Sequence, residues 1–282
     1  MKIGIIGNGF VGKATNILKN DNVDLVVYDI DPKLCNPIGT SLEDICNTDI
    51  IFISVPTPMN KDGSCHIGIL ESVVGNIKDI CDLNENLIVI RSTVPPGTAD
   101  SLNCYFMPEF LTEKNFENDF INNEHWIFGL KNTEQDITFK TKISELFTLS
   151  HESGKIKHNN LHFVSNSEAE MIKLFRNNYL SVKVGFCNEI AEFCEKKNIN
   201  YENVRKLAVL DSRIGESHSK VPGHDGKKGY GGTCFPKDTH NLKCEMEKTG
   251  MTSYVIKNVI ERNEKVDRSE KDWTSNKGRA VI

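Results

Sequence analysis

The 282-residue sequence has no apolar stretch long enough to span a bilayer, so no membrane-inserted helix is expected. It has no excess of positive charge either: 34 lysines and arginines against 39 aspartates and glutamates give a formal net charge of −5. A nucleic-acid binder needs a basic stripe. The pairs Lys196-Lys197 and Lys227-Lys228 are too short for one and read as solvated faces. The nine cysteines include no CxxC pair, and Cys104, Cys187 and Cys194 lie inside apolar runs. With an odd number of cysteines and no secretory signal before the first strand, reduced thiols in a cytoplasmic protein are expected. The eight histidines and the cysteines show no metal-ligand spacing, so no metal is expected. Internal repeats and low-complexity segments are also lacking. What remains, 38% hydrophobic and 26% charged, is the composition of an ordinary soluble globular chain, long enough for one large or two modest domains.

Short apolar runs bounded by turn residues recur through the first 130 positions: Ile3 to Ile6, Leu25 to Tyr28, Ile50 to Val55, Leu87 to Ile90 and Tyr105 to Met107. Each reads as a buried strand. Helical stretches such as Gly12 to Lys19 and Ile69 to Ile80 lie between them. This alternation predicts an α/β fold, a doubly wound parallel sheet of Rossmann-like type with helices on both faces. Trp126 to Leu130 and Leu161 to Val164 add strands at the far edge. From Ser167 to Lys197 the pattern becomes one long helix, with Met171, Leu174, Phe175, Tyr179, Val182, Phe186, Ile190 and Phe193 at helical spacing. Glu170, Lys173, Asn177 and Ser181 form a polar stripe on another face. The boundary is placed near residue 165, giving a dinucleotide-binding domain over 1–165 and a helical domain over 166–282. In the latter, helices are expected over Glu202 to Leu210, from about Pro236, and from Val255 to Asp272.

Gly7-Asn8-Gly9-Phe10-Val11-Gly12 follows the first strand and opens a helix. Gly7 permits the tight turn, Gly9 lets the backbone approach a pyrophosphate, and Gly12 allows close helix–sheet packing. Asp29, about twenty residues on at the end of the second strand, is placed to bind ribose hydroxyls and to repel a 2′-phosphate, which favours NAD over NADP. Two further loops, Val55-Pro56-Thr57-Pro58 and Ser92-Thr93-Val94-Pro95-Pro96-Gly97, follow strands where such folds bind ligands; taken alone, either is also a plain turn. Glu109 and Glu113 in MPEFLTE would share a face on a helical turn, and taken alone read as surface acids. The most specific segment is Gly229-Tyr230-Gly231-Gly232-Thr233-Cys234-Phe235-Pro236-Lys237-Asp238. Its glycines suit close approach to a ligand. Pro236 suits the first turn of a helix, which leaves Cys234 at the helix N-terminus, where a thiolate is favoured.

GNGFVG, STVP, PEFLTE, KLFRNNYL, DSRIG and GYGGTCFPKD, in this order, resemble the UDP-glucose/GDP-mannose dehydrogenase family over nearly the whole chain. Tyr230 and Phe235 look more like its UDP-glucose branch. The resemblance implies oxidation of a nucleotide sugar by two hydride transfers to NAD through a thiohemiacetal and a thioester on Cys234. It implies roles for Lys173 at a developing oxyanion, for Asn177 beside it, for Asp238 in proton transfer, for Thr93 and Glu109 in placing water, and for Glu113 as a further carboxylate. Cofactor contacts extend by the same resemblance to Asn8, Phe10, Val11, Lys33, Val55, Pro56, Thr57 and Thr93. Substrate contacts extend to Phe110, Leu111, Tyr230, Gly231 and Gly232. Arg213 corresponds to an arginine that reaches a partner subunit's substrate, which implies a homodimer packed through the long helix. Family members continue into a second nucleotide-binding domain, whereas this sequence ends at Ile282, so reduced grip on the nucleotide is expected. Two other readings stand beside this one: an NAD-binding relic or subunit without turnover of its own, and a cysteine hydrolase pairing Cys234 with His240.

Overall fold

The computed structural model describes residues 1–81 and 87–282. The chain divides into two compact units, residues 1–57 with 67–173, and residues 58–66 with 174–282. The first unit holds β1 (Lys2–Ile6), α1 (Phe10–Thr15), β2 (Asp24–Tyr28), α2 (Leu42–Cys46), β3 (Ile50–Ile53), α3 (Gly68–Ile80), β4 (Leu87–Ile90), α4 (Thr98–Ser101), β5 (Tyr105–Phe106), α5 (Phe116–Ile121), β6 (His125–Leu130), α6 (Gln135–Glu152) and β7 (Asn160–Ser165). The seven strands form one sheet in the order β2-β1-β3-β4-β5-β6-β7.

Both faces of the central strands are buried, which is why they read as continuous apolar runs. Ile3, Ile5, Ile50, Phe52, Leu87 and Val89 face a core completed by Phe120, Phe139, Ile143 and Phe147 of α5 and α6. Their neighbours Ile6, Ile51, Ile53, Ile88 and Ile90 face the opposite core with Ile45, Leu70, Val74 and Ile77 of α2 and α3. The period of two along each strand thus feeds two helical layers. The sheet departs from all-parallel at one place: β5 pairs β6 antiparallel, and β7 runs parallel to β6. Strand direction leaves no mark on side-chain periodicity, so the reversal was not legible.

α7 (Asn166–Lys196) starts in the first unit and continues into the second, which also holds α8 (Tyr201–Ala208), α9 (Phe235–Lys248) and α10 (Tyr254–Arg262). A five-residue π turn, Asn263–Asp267, follows α10, so the helical tail expected as far as Asp272 ends earlier. The segment 58–66 belongs to the second unit because its turn packs on α9: Cys244 Sγ lies 3.5 Å from the Asp62 carbonyl oxygen, and a Cβ on Gly63 would lie 3.3 Å from His240. The polar stripe of α7 is its buried side, with Glu170, Lys173, Asn177 and Ser181 all enclosed, while Phe175, Tyr179, Phe186 and Phe193 are exposed.

The expectation of a fully reduced chain is corrected. Cys46 and Cys81 form a disulfide across 35 positions. Cys46 ends α2 and Cys81 caps α3; these helices pack on the same sheet face, which brings the two Cα atoms to 5.1 Å, within the reach of the bond. Proximity of two helix ends is a tertiary fact, and spacing in sequence does not carry it. Among the described residues, no helix is long and apolar enough to cross a membrane.

Candidate active site

The candidate dinucleotide loop is built on β1, β2 and α1 in the first unit. Gly7 has φ +89°, and a Cβ there would lie 2.4 Å from the Ser54 carbonyl oxygen. A Cβ on Gly12 would lie 2.0 Å from the Gly7 carbonyl oxygen. Neither position tolerates a side chain. Gly9, the cap of α1, has nothing within 4 Å of its Cβ direction. The loop therefore packs tightly at its first and third glycines and stays open at its second, where a pyrophosphate would lie against the backbone. Phe10 and Val11 form the first turn of α1, a shorter helix than expected, continued by a 3₁₀ turn over Asn16–Leu18.

Asp29 Oδ2 accepts from the Asn8 N–H at 2.6 Å, and its Oδ1 accepts from the Asp31 N–H at 2.9 Å. Each oxygen keeps a second lone pair, so the carboxylate fixes the glycine loop and can still receive ribose hydroxyls. Lys33 lies exposed in the next turn. The loops after β3 and β4 are tied together: Thr57 Oγ1 donates to the Thr93 carbonyl at 2.7 Å, and Ser92 Oγ donates to the Val55 carbonyl at 2.7 Å. These observations fit NAD, whose adenosine and pyrophosphate would be held by Asp29 and the 7–12 loop.

Beyond β5, Glu109 is buried, not a surface acid. Its Oε1 receives Lys173 Nζ at 2.7 Å, and its Oε2 receives the Leu111 N–H at 2.9 Å. Lys173 also donates to the Glu109 carbonyl at 2.7 Å, and the Phe110 ring centroid lies 5.8 Å from Nζ. Two of the three ammonium protons are thus directed at Glu109. The shared helical face expected for Glu109 and Glu113 is not present: residues 107–112 form no helix, and Glu113 is exposed. Proline at 108 disfavours helical backbone in the residue before it.

Sequence reasoning passed over Arg91. It lies 2% exposed at the end of β4, bonded through Nη1 to Thr15 of α1, and burial lowers its pKa to about 10. A cation ending an apolar strand was the available signal.

The cysteine segment lies in the second unit. Cys234 caps α9, Pro236 occupies its first turn, and the Asp238 N–H bonds the Cys234 carbonyl at 2.9 Å. Asp238, 1% exposed, receives Asn177 Nδ2 at 2.6 Å and Lys237 Nζ at 2.7 Å. The ammonium of Lys237, with Asp238 and Cys234 in electrostatic reach, is held well above the ordinary lysine range despite its burial. The burial of Lys237 is not legible in the sequence, because a lysine next to an aspartate on a helix usually marks a solvated face. The Tyr230 ring is buried and meets Phe235 edge-on at 6.2 Å. Gly231 lies against Arg268, and Gly232, with φ +73°, is open. Arg213 is exposed and pairs with Asp211 at 2.6 Å. His240 is engaged at both ring nitrogens, Nδ1 with the Pro236 carbonyl at 2.8 Å and Nε2 with Glu264 at 3.1 Å.

Residues 38–150 match the NAD-binding domain of the UDP-glucose/GDP-mannose dehydrogenase family, and residues 167–265 match its central domain. A UDP-glucose 6-dehydrogenase of Campylobacter jejuni is 31% identical, over 94% of this chain and 72% of the relative. The corresponding protein of Rickettsia typhi is 28% identical, over 93% and 67%. Among solved structures, a UDP-glucose dehydrogenase of Pyrobaculum islandicum aligns with a TM-score of 0.76 at 24% identity, covering 93% of this chain and 68% of its own. A 3-hydroxyisobutyrate dehydrogenase of Mycobacterium tuberculosis aligns at 0.69 with 14% identity, covering 94% and 92%. At such identities these two structures speak for the fold alone. The two matched domains and the Campylobacter relative speak for more: this chain belongs to the UDP-glucose/GDP-mannose dehydrogenase family, with an NAD-binding domain as its first unit.

Proposed function

We propose that the chain oxidises the C6 alcohol of a nucleotide sugar, with UDP-glucose as the first candidate, to the carboxylate. The observation that carries the reading is Cys234 at the cap of a 14-residue helix, one turn before a buried Asp238 that Asn177 and Lys237 hold, in a chain that also has a dinucleotide loop. NAD, when bound, supplies the acceptor for each hydride. Lys173, with one ammonium proton beyond the two given to Glu109, stabilises the oxyanion that develops on the sugar oxygen. Asp238 takes the alcohol proton and later activates water. Cys234, as thiolate, adds to the C6 aldehyde to give a thiohemiacetal. Loss of a hydride and the hydroxyl proton converts this to a thioester, which water cleaves to the acid and the free thiol. The Lys237 ammonium and the α9 N-terminus both favour the thiolate. Glu109 and Thr93 place the hydrolytic water, Glu113 is a further carboxylate, and the glycine-loop, Lys33 and 55–57 positions contact NAD.

The active form in this reading is a homodimer joined through the exposed aromatic face of α7, with Arg213 serving the neighbouring site. The hydrolase reading loses ground because both nitrogens of His240 are already engaged. A subunit without turnover remains the alternative. Incubation with NAD and a panel of nucleotide sugars decides between them, followed by reduced-cofactor absorbance and product mass. The expected result is two reduced cofactors per sugar acid, and none of that acid with Cys234→Ser, which still binds NAD. One cofactor per sugar, or acid formation by Cys234→Ser, overturns the covalent route.

A further inference from the structure

The glycines before Cys234 are not spaced for a ligand alone. A Cβ on Gly229 would lie 2.3 Å from Asn263 Oδ1, and one on Gly231 would lie 2.6 Å from Arg268 Cζ. Two side chains of the segment after α10 thus occupy the space that loop side chains would need. Asn263 grips the loop on both sides of one residue: its Oδ1 receives the Tyr230 N–H at 2.8 Å, and its Nδ2 donates to the Tyr230 carbonyl at 2.9 Å. Asn188 of α7 receives the Gly229 N–H at 3.1 Å. Arg268 is 4% exposed, and its guanidinium lies flat against Gly231. It is fixed there by Asp225 at 2.6 Å and by Asp272 at 2.9 and 2.8 Å. Asp225 belongs to the polar loop between α8 and α9, and Lys227 of the same loop bonds Asp272 at 2.9 Å and Glu270 at 3.0 Å. The π turn is what aligns these groups, since its wide Arg268 N–H to Asn263 carbonyl bond, 2.8 Å, puts both residues on the loop's side.

We propose that Asn263 and Arg268 are positioning residues that clamp the 229–232 loop and so keep Cys234 at the N-terminus of α9. The loop needs such a clamp. Gly229 and Gly232 both sit at positive φ, +67° and +73°, and glycine leaves the backbone many alternatives. A buried two-bond amide grip and a flat guanidinium remove those alternatives, and lysine reproduces neither the plane nor the fork of arginine. The role rests on the assignment of Cys234 as nucleophile, so the test reads the thiol without requiring turnover.

Asn263→Asp, Arg268→Lys and Asp225→Asn are compared with the unaltered protein. Iodoacetamide labelling of Cys234 is followed by peptide mass spectrometry at one mildly alkaline pH. Cys194, buried in the same unit, reports loss of fold, and NAD affinity is measured in parallel. Asn263→Asp and Arg268→Lys are expected to slow labelling of Cys234 by about two- to fivefold, the range set by losing a helix-terminus contribution to an anion. Cys194 stays protected and NAD affinity is unchanged. On a substrate, kcat falls by a similar factor while KM for NAD holds. An unchanged or faster Cys234 rate with Cys194 protected overturns the proposal. Should Arg268→Lys expose Cys194, the same criterion is applied to the other two variants. Absence of turnover in the unaltered protein would sink the sugar-oxidation reading and leave the labelling comparison valid.

Discussion

Asp29 answers to two demands at once. It holds the Asn8 N–H of the glycine loop, and in the proposed reading its charge also meets whatever lies at the 2′ position of a bound adenosine. A hydroxyl donates to it, whereas a phosphate is repelled. Asp29→Asn keeps one acceptor for the loop and removes the charge. Titration of the variant is expected to show NAD affinity reduced on the order of tenfold, the scale of one charge-assisted bond, with a smaller gap to NADP. Equal affinity of the unaltered protein for both cofactors would defeat the assignment. The glycine turn and the strand end that carries Asp29 were legible as local structure because their residues are contiguous or end consecutive strands. Glu109 was less so. Its partner Lys173 lies 64 positions away, so a carboxylate that reads as surface in isolation proves to be enclosed by an ion pair.

At the scale of the element, α7 shows what periodicity does and does not reveal. Its existence and length followed from the absence of proline and the helical recurrence of apolar residues, but which face is buried did not. The stripe that would normally meet solvent is enclosed, because each polar group finds a partner: Lys173 on Glu109, Asn177 on Asp238, and Glu170 on the Gly97 and Ala99 N–H groups at 2.5 and 2.7 Å. The strands were legible because burial on both faces makes them short apolar runs. The β5–β6 reversal, the placement of residues 58–66 in the second unit and the Cys46–Cys81 bond all depend on contacts distant in sequence. Glu170 carries a consequence for pH. Burial raises its pKa to about 7 against the two N–H bonds that oppose the shift. The folded protein therefore holds a proton that the unfolded chain releases in the ordinary glutamate range. That contribution is fully present below that range and is lost as pH rises through about 7. Glu170→Gln keeps a carbonyl acceptor and cannot ionise. Its stability is expected to be flatter between about pH 4.5 and 7 than that of the unaltered protein, by on the order of 3 kcal/mol given ~1.4 kcal/mol per pH unit. Parallel pH profiles of denaturant midpoints for the two proteins would remove Glu170 from this role.

At the scale of the whole molecule, the outward face of α7 is the outstanding surface. Phe175, Tyr179, Phe186 and Phe193 are 55–63% exposed, and their spacing of four, seven and seven residues keeps them on one side of the helix. Leu207 and Leu210, 71% and 76% exposed, add apolar surface in and just after α8. Large contiguous apolar patches on soluble chains mark interfaces, and a helix face of this kind is self-complementary in a two-fold dimer, where the same patch serves both copies. The homodimer proposed above therefore has a specific vulnerability. A carboxylate at position 186 would face its own copy or another apolar ring across a dry contact, and burying an unpaired charge costs several kcal/mol. Phe186→Glu sits on the exposed side of α7, so the fold of the single chain should survive. Sedimentation velocity is expected to give twice the chain mass for the unaltered protein at micromolar concentration and the single-chain mass for Phe186→Glu, with matching far-UV circular dichroism. A folded monomer before any substitution, or a dimer that Phe186→Glu leaves intact, would move the interface away from α7.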